Sequence, residues 1–350
     1  KYNNVTVNKM TLVDSETTQR EVGLDVVFVL DISGSMRFES NEGIPKVISM
    51  VNAVNKAMTE IMKDRNNKVG IVLFTTDATV LLPLNVYTAR TTSNGIGQYI
   101  QYTTHEDADG HDLYFINANV TGMAQNTTEV TGDESMQIGL AKGADMLLQQ
   151  EDTENRQPIT ILLSDGVPWY STTEYDNVTS DNCTEIYQDF AINNYLTILT
   201  ANYYKNKVTE HYKDAEALMY TIGFDLTSIT AQTLLNPSEE NVNACIESGQ
   251  AEATTLYNYL TGIEYIINGK EVRNPYTEYN YADGAYIGEM TAEELDEIFA
   301  GIIEEINKVY ETTTVETSNI NMDVSKIELE NLDTNENITI TIDDQTQEYT

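Results

Sequence analysis

"DVVFVLDISGSM", residues 25–36, decides the fold of this chain. Five of its first six residues are large and apolar, the pattern of a strand buried on both faces. The run then ends in Asp31, Ser33, Gly34 and Ser35. A strand of this kind belongs to a parallel sheet covered by helices, and such sheets bind ligands at the carboxyl ends of their strands. Alternate spacing in a tight turn can aim one carboxylate and two hydroxyls at a single point. Oxygen donors without histidine or cysteine select a hard cation such as Mg²⁺, Ca²⁺ or Mn²⁺. A second strand, "PITILLSDG" at 158–166, ends in Asp165 and Gly166 and brings another carboxylate to the same sheet edge.

Outward from this strand, helix and strand alternate. Buried strands are predicted at 24–30, 68–74, 158–163 and 217–222, and helices at 44–63, 135–150, 184–204 and 291–310. In the first helix Ile44, Val47, Ile48, Val51, Val54, Met58, Ile61 and Met62 form one apolar stripe. Thr291 before "AEELDEIF" is a good helix start. The alternation implies an α/β fold, a doubly wound and mostly parallel sheet with helices on both faces. The two ends of the chain read differently. Residues 1–21 are rich in β-formers, and near the other end Ile338, Ile340 and Ile342 alternate with Thr339 and Thr341. The economical arrangement is an α/β domain over 22–311 that interrupts a β-rich module built from 1–21 and 312–350. Segments 85–130, 166–183 and 225–288 are too long for ordinary connections. Many of the 22 tyrosines fall in them, as suits a recognition surface.

Composition narrows the function. The 350 residues carry 19 basic and 56 acidic side chains, a net charge of −37. A surface this acidic repels phosphate and anionic lipid, so no nucleic acid partner is expected. No run of 18 apolar residues exists, so no direct membrane insertion is expected either. The Gly-x-Ser-x-Gly nucleophile elbow, the P-loop and the glycine-rich dinucleotide turn are all missing, and the expectation is a protein that is not an enzyme.

"DVVFVLDISGSM" together with "ITILLSDGVP" resembles the von Willebrand factor A domain. "NNKVGIVLFTTDATVLLPL", "ALMYTIGFD" and "GAYIGEMTAEELDEIFAGII" extend the likeness over roughly 22–310. The resemblance implies a Rossmann-like fold and a metal-ion-dependent adhesion site. Ser33 and Ser35 would bind a divalent cation directly, and Asp31 and Asp165 directly or through water. Mg²⁺ is the expected ion, with Ca²⁺ and Mn²⁺ as alternatives, and an open position would take an acidic group from a partner. One stretch departs from the family, which places a Thr five residues ahead of a Gly. In "VTGDESMQIGLAKGADML" the residue five before Gly139 is Glu134. Either Glu134 is a ligand, or the loop shifts and Thr131, Asp133 or Ser135 serves.

Weaker signals remain. "HEDADGHD", 105–112, offers Asp107, Asp109 and Asp112 for a second cation, although a solvated acidic loop reads the same way. Cys183 and Cys245 are a candidate disulfide if the protein is extracellular. Trp169 falls close to Asp165, as a recognition anchor or a cap on the core. A resemblance to the tip adhesins and surface proteins of Gram-positive bacterial pili carries further expectations. These are an extracellular, cell-surface or cell-wall-attached adhesin, and a protein or glycan ligand on another cell or matrix. Other pilus subunits are the second class of partner, and Lys9 is a candidate isopeptide donor. The alternative is a structural or assembly subunit of a surface filament, in which the metal is architectural.

Overall fold

The structure is a computed structural model. It describes residues 22–224 apart from 41, 94, 96, 124–126, 167, 185–189 and 214, then 265–267, 270–272, 281–288 and 291–311. Over 2–19, 314–329, 338–342 and 345–349 it describes the course of the backbone. The chain divides into two compact units, one of residues 22–306 and one of residues 1–21 with 307–350.

The larger unit is built on a six-stranded sheet. In chain order its strands are β2 (Gly23–Asp31), β3 (Lys68–Phe74), β4 (Ala78–Asn85), β8 (Arg156–Ser164), β9 (Leu218–Phe224) and β12 (Gly284–Gly288). Their order in space is β12-β9-β8-β2-β3-β4. All neighbours are parallel except β3 and β4. Strands β2 and β8 are buried at every position, which explains their unbroken apolar runs. Strand β4 closes one edge and carries Pro83, which an edge strand tolerates because its N–H side needs no partner.

The α-helices among the described residues are α1 (Lys46–Ile61), α2 (Met136–Leu148), α3 (Phe190–Tyr212) and α4 (Ala292–Glu311), the last belonging to this unit up to Ile306. Val27 and Val29 of β2 pack into the cluster that holds α2 and α3, whereas Phe28 meets Phe299 of α4 edge-to-face at 5.7 Å. Alternate β2 residues therefore serve opposite faces, the expected doubly wound arrangement. Helix α2 lies close to the sheet because Gly139 and Gly143 face it. A Cβ on Gly139 would stand 2.7 Å from the Phe74 ring, and one on Gly143 2.7 Å from Val29 Cγ2.

Several elements differ from the sequence reading. Helix α1 begins at Lys46, and Ile44 is exposed. Pro45 excludes helical backbone from the residue before it, and Glu39 and Pro45 form a short bridge instead. Segment 85–130 contains an antiparallel sheet of β5 (Ile100–Glu106), β6 (Asp112–Ala118) and β7 (Thr128–Glu129). Helix α3 runs to Tyr212, past the predicted end at 204, and Lys213 follows with φ 59° and its N–H on the Thr209 carbonyl. Thr184, the predicted start, is extended and bridges Ser171. Most of segment 225–288 lies outside the described residues; β10 (Tyr265–Ile267) pairs there with β11 (Lys270–Val272).

In the smaller unit β1 (Tyr2–Gln19) pairs antiparallel with β13 (Thr314–Leu329), and β14 (Ile338–Ile342) with β15 (Gln345–Tyr349). Lys9 stands opposite Asp323 in the register.

Candidate metal centre at the carboxyl edge of the sheet

Strand β2 has β3 on one side and β8 on the other. The chain leaves β2 towards β3 and leaves β8 towards β9, in opposite directions across the sheet, and the crevice between such strand ends is where ligands bind in these folds. Asp31 ends β2 and is fully buried. Its Oδ1 accepts the Ser33 N–H at 2.8 Å and its Oδ2 accepts the Ser164 hydroxyl at 2.6 Å. Both oxygens therefore shape the turn from behind. That turn brings the Ser33 and Ser35 hydroxyls within 3.0 Å of each other.

The α2 loop supplies the next donor. Gly34 N–H donates to the Gly132 carbonyl at 2.8 Å, Thr131 N–H to the Ile32 carbonyl at 3.0 Å, and Ser135 N–H to the Thr75 carbonyl at 2.8 Å. These bonds fix the loop so that Glu134 points inward. Its Oε1 accepts from Ser33 and Ser35, each at 3.2 Å. Of the four residues open on this loop, Glu134 joins the cluster. Thr131 is exposed, Asp133 is exposed on the rim of the cleft, and Ser135 is buried against Cys183 Sγ at 2.9 Å. Asp165 completes the set: its Oδ1 accepts the Ser35 hydroxyl at 2.7 Å and its Oδ2 the Lys46 ammonium at 2.8 Å. Carboxylate oxygens of Asp31, Glu134 and Asp165 all lie within 4.8 Å of one another.

Three buried carboxylates this close cannot all stay ionised by themselves. Burial first, and then the charge of Asp165, raises Asp31 to about 7. Burial, then Asp31 and Asp165, raises Glu134 to about 9. The chemistry of the set fits a hard divalent cation, since every donor is an oxygen. Glu134 Oε2 is buried without a hydrogen-bond partner, a costly state unless something else satisfies it. Gly166 leaves the space that Glu134 uses, because a Cβ there would overlap the Glu134 carboxylate. In front lies a cleft of about 390 Å³ lined by Ser33, Gly34, Ser35, Glu134 and Trp169 among others. At its rim Phe38 is 66% exposed and Trp169 41%.

The second cation set is rearranged. Asp107, Asp109 and His111 come together, while Asp112 starts β6 opposite Glu106. Asp107 Oδ1 accepts the Asp109 and His111 N–H groups and so closes the hairpin turn, an ordinary use of Asp there. Cys183 is a free, buried thiol raised by that burial to about 11. Its sulfur faces Ser135 Oγ at 2.9 Å in the core, and Cys245, its predicted disulfide partner, lies outside the described residues. Sequence reasoning missed Ser164, which anchors Asp31, and Lys46, which anchors Asp165. The first had a signal in "LLSDG"; the second had one in a lone cation at a helix start.

Residues 25–127 match the von Willebrand factor type A domain. Comparison with curated proteins gives no match. Among solved structures, the chain is similar to the PilB minor pilin from Streptococcus sanguinis at 13% identity and TM-score 0.47, over 84% of this chain and 64% of that one. It is similar to the pilus adhesin SpaC from Lactobacillus rhamnosus GG at 14% and 0.44, over 84% and 32%. The vWF domain of the type V pili tip protein Mfa5 from Porphyromonas gingivalis aligns at 12% and 0.43, over 83% and 96%. This chain thus spans 64% of the length of PilB and 32% of that of SpaC. The family match begins on β2 and covers residues 25–127, and the mostly parallel sheet with helices on both faces is an architecture consistent with a von Willebrand factor type A fold.

Proposed function

We propose that the chain is an extracellular adhesive module, borne on a cell surface, cell wall or pilus, that captures an acidic group of its partner through a divalent cation. The observation that carries this reading is the open cleft, where serine and carboxylate oxygens line the floor and Phe38 and Trp169 stand exposed at the rim. Ser33, Ser35, Glu134 and Asp165 would hold the ion, a hard divalent cation of the Mg²⁺, Ca²⁺ or Mn²⁺ type, as an all-oxygen donor set favours. Asp31 would order their turn from behind through Ser33 N–H and Ser164. A cation held there supplies a positive position for an external carboxylate from a protein or glycan. The aromatic rim suits a contact surface. Among the described residues the cleft lining contains no histidine or cysteine, which suits a hard cation held by oxygen donors. No helix of the described residues is long and apolar enough to cross a membrane.

A second reading has one observation behind it. Glu134 places a buried carboxylate inside the cluster, which tightens the hold on a cation and weakens its pull on a partner. The chain would then be a structural subunit of a surface filament with an architectural ion. Adhesion of chain-coated beads to matrix-coated wells in Mg²⁺ and in EDTA separates the two, with the Asp31→Ala/Ser33→Ala variant as control. The adhesive reading expects binding in Mg²⁺ only, and none by the variant in either condition while its circular dichroism is unchanged. Binding that survives EDTA would remove cation-mediated capture and leave the architectural role.

A further inference from the structure

Lys46 is the first residue of α1. The first turn of a helix presents unpaired N–H groups and the positive end of the dipole, so acidic residues are favoured there and cations are not. Helix α1 has no acid in that turn. The Lys46 side chain is only 11% exposed, and Nζ donates to Asp165 Oδ2 at 2.8 Å. Its backbone N–H donates to the Phe38 carbonyl at 3.0 Å, which ties it to the turn carrying Ser33 and Ser35. A buried ammonium at a helix start is costly through both desolvation and the dipole. An apolar residue would serve the α1 stripe at lower cost, so the fold alone gives no reason for a lysine.

Its contribution is to the oxygen cluster. Holding Oδ2 of Asp165 leaves Oδ1 facing the Ser35 hydroxyl. With Asp31, Glu134 and Asp165 all ionised the cluster carries three negative charges, and the ammonium reduces these to two. We infer that Lys46 is a positioning residue that sets this charge at two, matching the cluster to a divalent cation and leaving the bound ion receptive to an outside carboxylate. The inference rests on reading the cleft as a cation site. Lys46 also fills in metal-free protein part of the electrostatic role of a cation, by neutralising Asp165.

Ion selectivity tests this in the full chain. Trp169 is the chain's single tryptophan and lines the cleft. Tb³⁺ bound there gives tryptophan-sensitised luminescence, and Mg²⁺ is read by competing it away. Lys46→Met and Lys46→Gln should raise the affinity for Tb³⁺ relative to Mg²⁺ by about tenfold or more, since a third charge becomes uncompensated in a partly dry site. Lys46→Arg keeps the charge and should stay near wild type. The metal-free Met and Gln variants should melt at lower temperature than wild type and regain more on adding Mg²⁺. An unchanged Tb³⁺/Mg²⁺ ratio in the Met and Gln variants, with both ions still bound, would overturn the inference and spare the cation site. So would an Arg variant that behaves like Met. If wild type binds neither ion at the cleft, the cation reading fails and this inference fails with it.

Discussion

Replacing Arg156 by alanine is expected to destabilise the domain by about 3–5 kcal/mol, the usual consequence of stranding one partner of a buried ion pair. The pair lies at the opposite end of β2 from the metal centre. Asp25 is fully buried, and Arg156 Nε reaches both its oxygens at 2.9 and 3.0 Å. Arg156 Nη2 also donates to the carbonyls of Leu24 and Asn66, each at 3.0 Å, so the guanidinium ties β8 to β2 and to the turn before β3. The Tyr212 hydroxyl donates to Asp25 Oδ2 at 2.7 Å, which brings in the end of α3. Burial and then Asp25 push the Tyr212 phenol up, so it remains a donor at any ordinary pH. Alanine would leave the Asp25 carboxylate in the core with the tyrosine alone. The double replacement Asp25→Leu/Arg156→Leu should recover much of the loss, because no charge is then stranded. Urea denaturation of the three proteins measures both values, and a loss under about 1 kcal/mol for Arg156→Ala would mean that water already screens the pair.

Glu134→Thr should weaken cation binding by more than tenfold and strengthen cation-dependent capture of an external carboxylate. A neutral hydroxyl replaces a full charge in a site where charges interact by several kcal/mol even at an effective dielectric of about 20. The variant also relieves a buried strain. Glu134 Oε2 has no partner, and the Glu134 carboxyl is raised to about 9 by burial and then by Asp31 and Asp165. Metal-free Glu134→Thr should therefore be no less stable than wild type above pH 8. Calorimetric titration with Mg²⁺ and binding to an immobilised glutamate-containing peptide measure the two effects. Cation affinity equal to wild type would remove Glu134 from the ligand set.

The sheet and most of the centre were legible because their signals are local. A fully buried strand shows as an unbroken apolar run, and the donors at its end follow within a few residues, as in Asp31, Ser33 and Ser35. Asp165 was legible in the same way at the end of β8. Glu134 emerged only by counting back from Gly139, and the alternatives Thr131, Asp133 and Ser135 could be separated only by the bonds that fix the loop to Ile32, Gly34 and Thr75. Lys46 and Ser164 act across gaps of 119 and 133 residues, and no periodicity reports a partner at that distance. The β5–β6–β7 sheet was hidden because β5 is polar and exposed beyond Gln101 and β7 is only two residues long, so neither carries an apolar run to flag it. Helix α3 was misplaced because residues 193–201 are buried all round, with Asn193, Thr197 and Thr200 buried as fully as their apolar neighbours, and so show no solvent-facing stripe against an apolar one.

The most direct test of the account is titration of the full chain with Mg²⁺ by calorimetry at pH 6 and at pH 8.5, alongside the Asp31→Ala/Ser33→Ala variant. Burial holds Asp31 up to about 7 and Glu134 up to about 9, so both bind protons in the metal-free fold at pH values where they are ionised in the unfolded chain. Their contribution to metal-free stability is complete at low pH and is lost as pH rises through 7 and towards 9. A cation must displace those protons, so its affinity should move the other way and be tighter at pH 8.5 than at pH 6. The predicted result is one site per chain, tighter at the higher pH, with proton release on binding and no site in the variant. A titration with no heat at either pH, or one that the variant reproduces, would contradict the account.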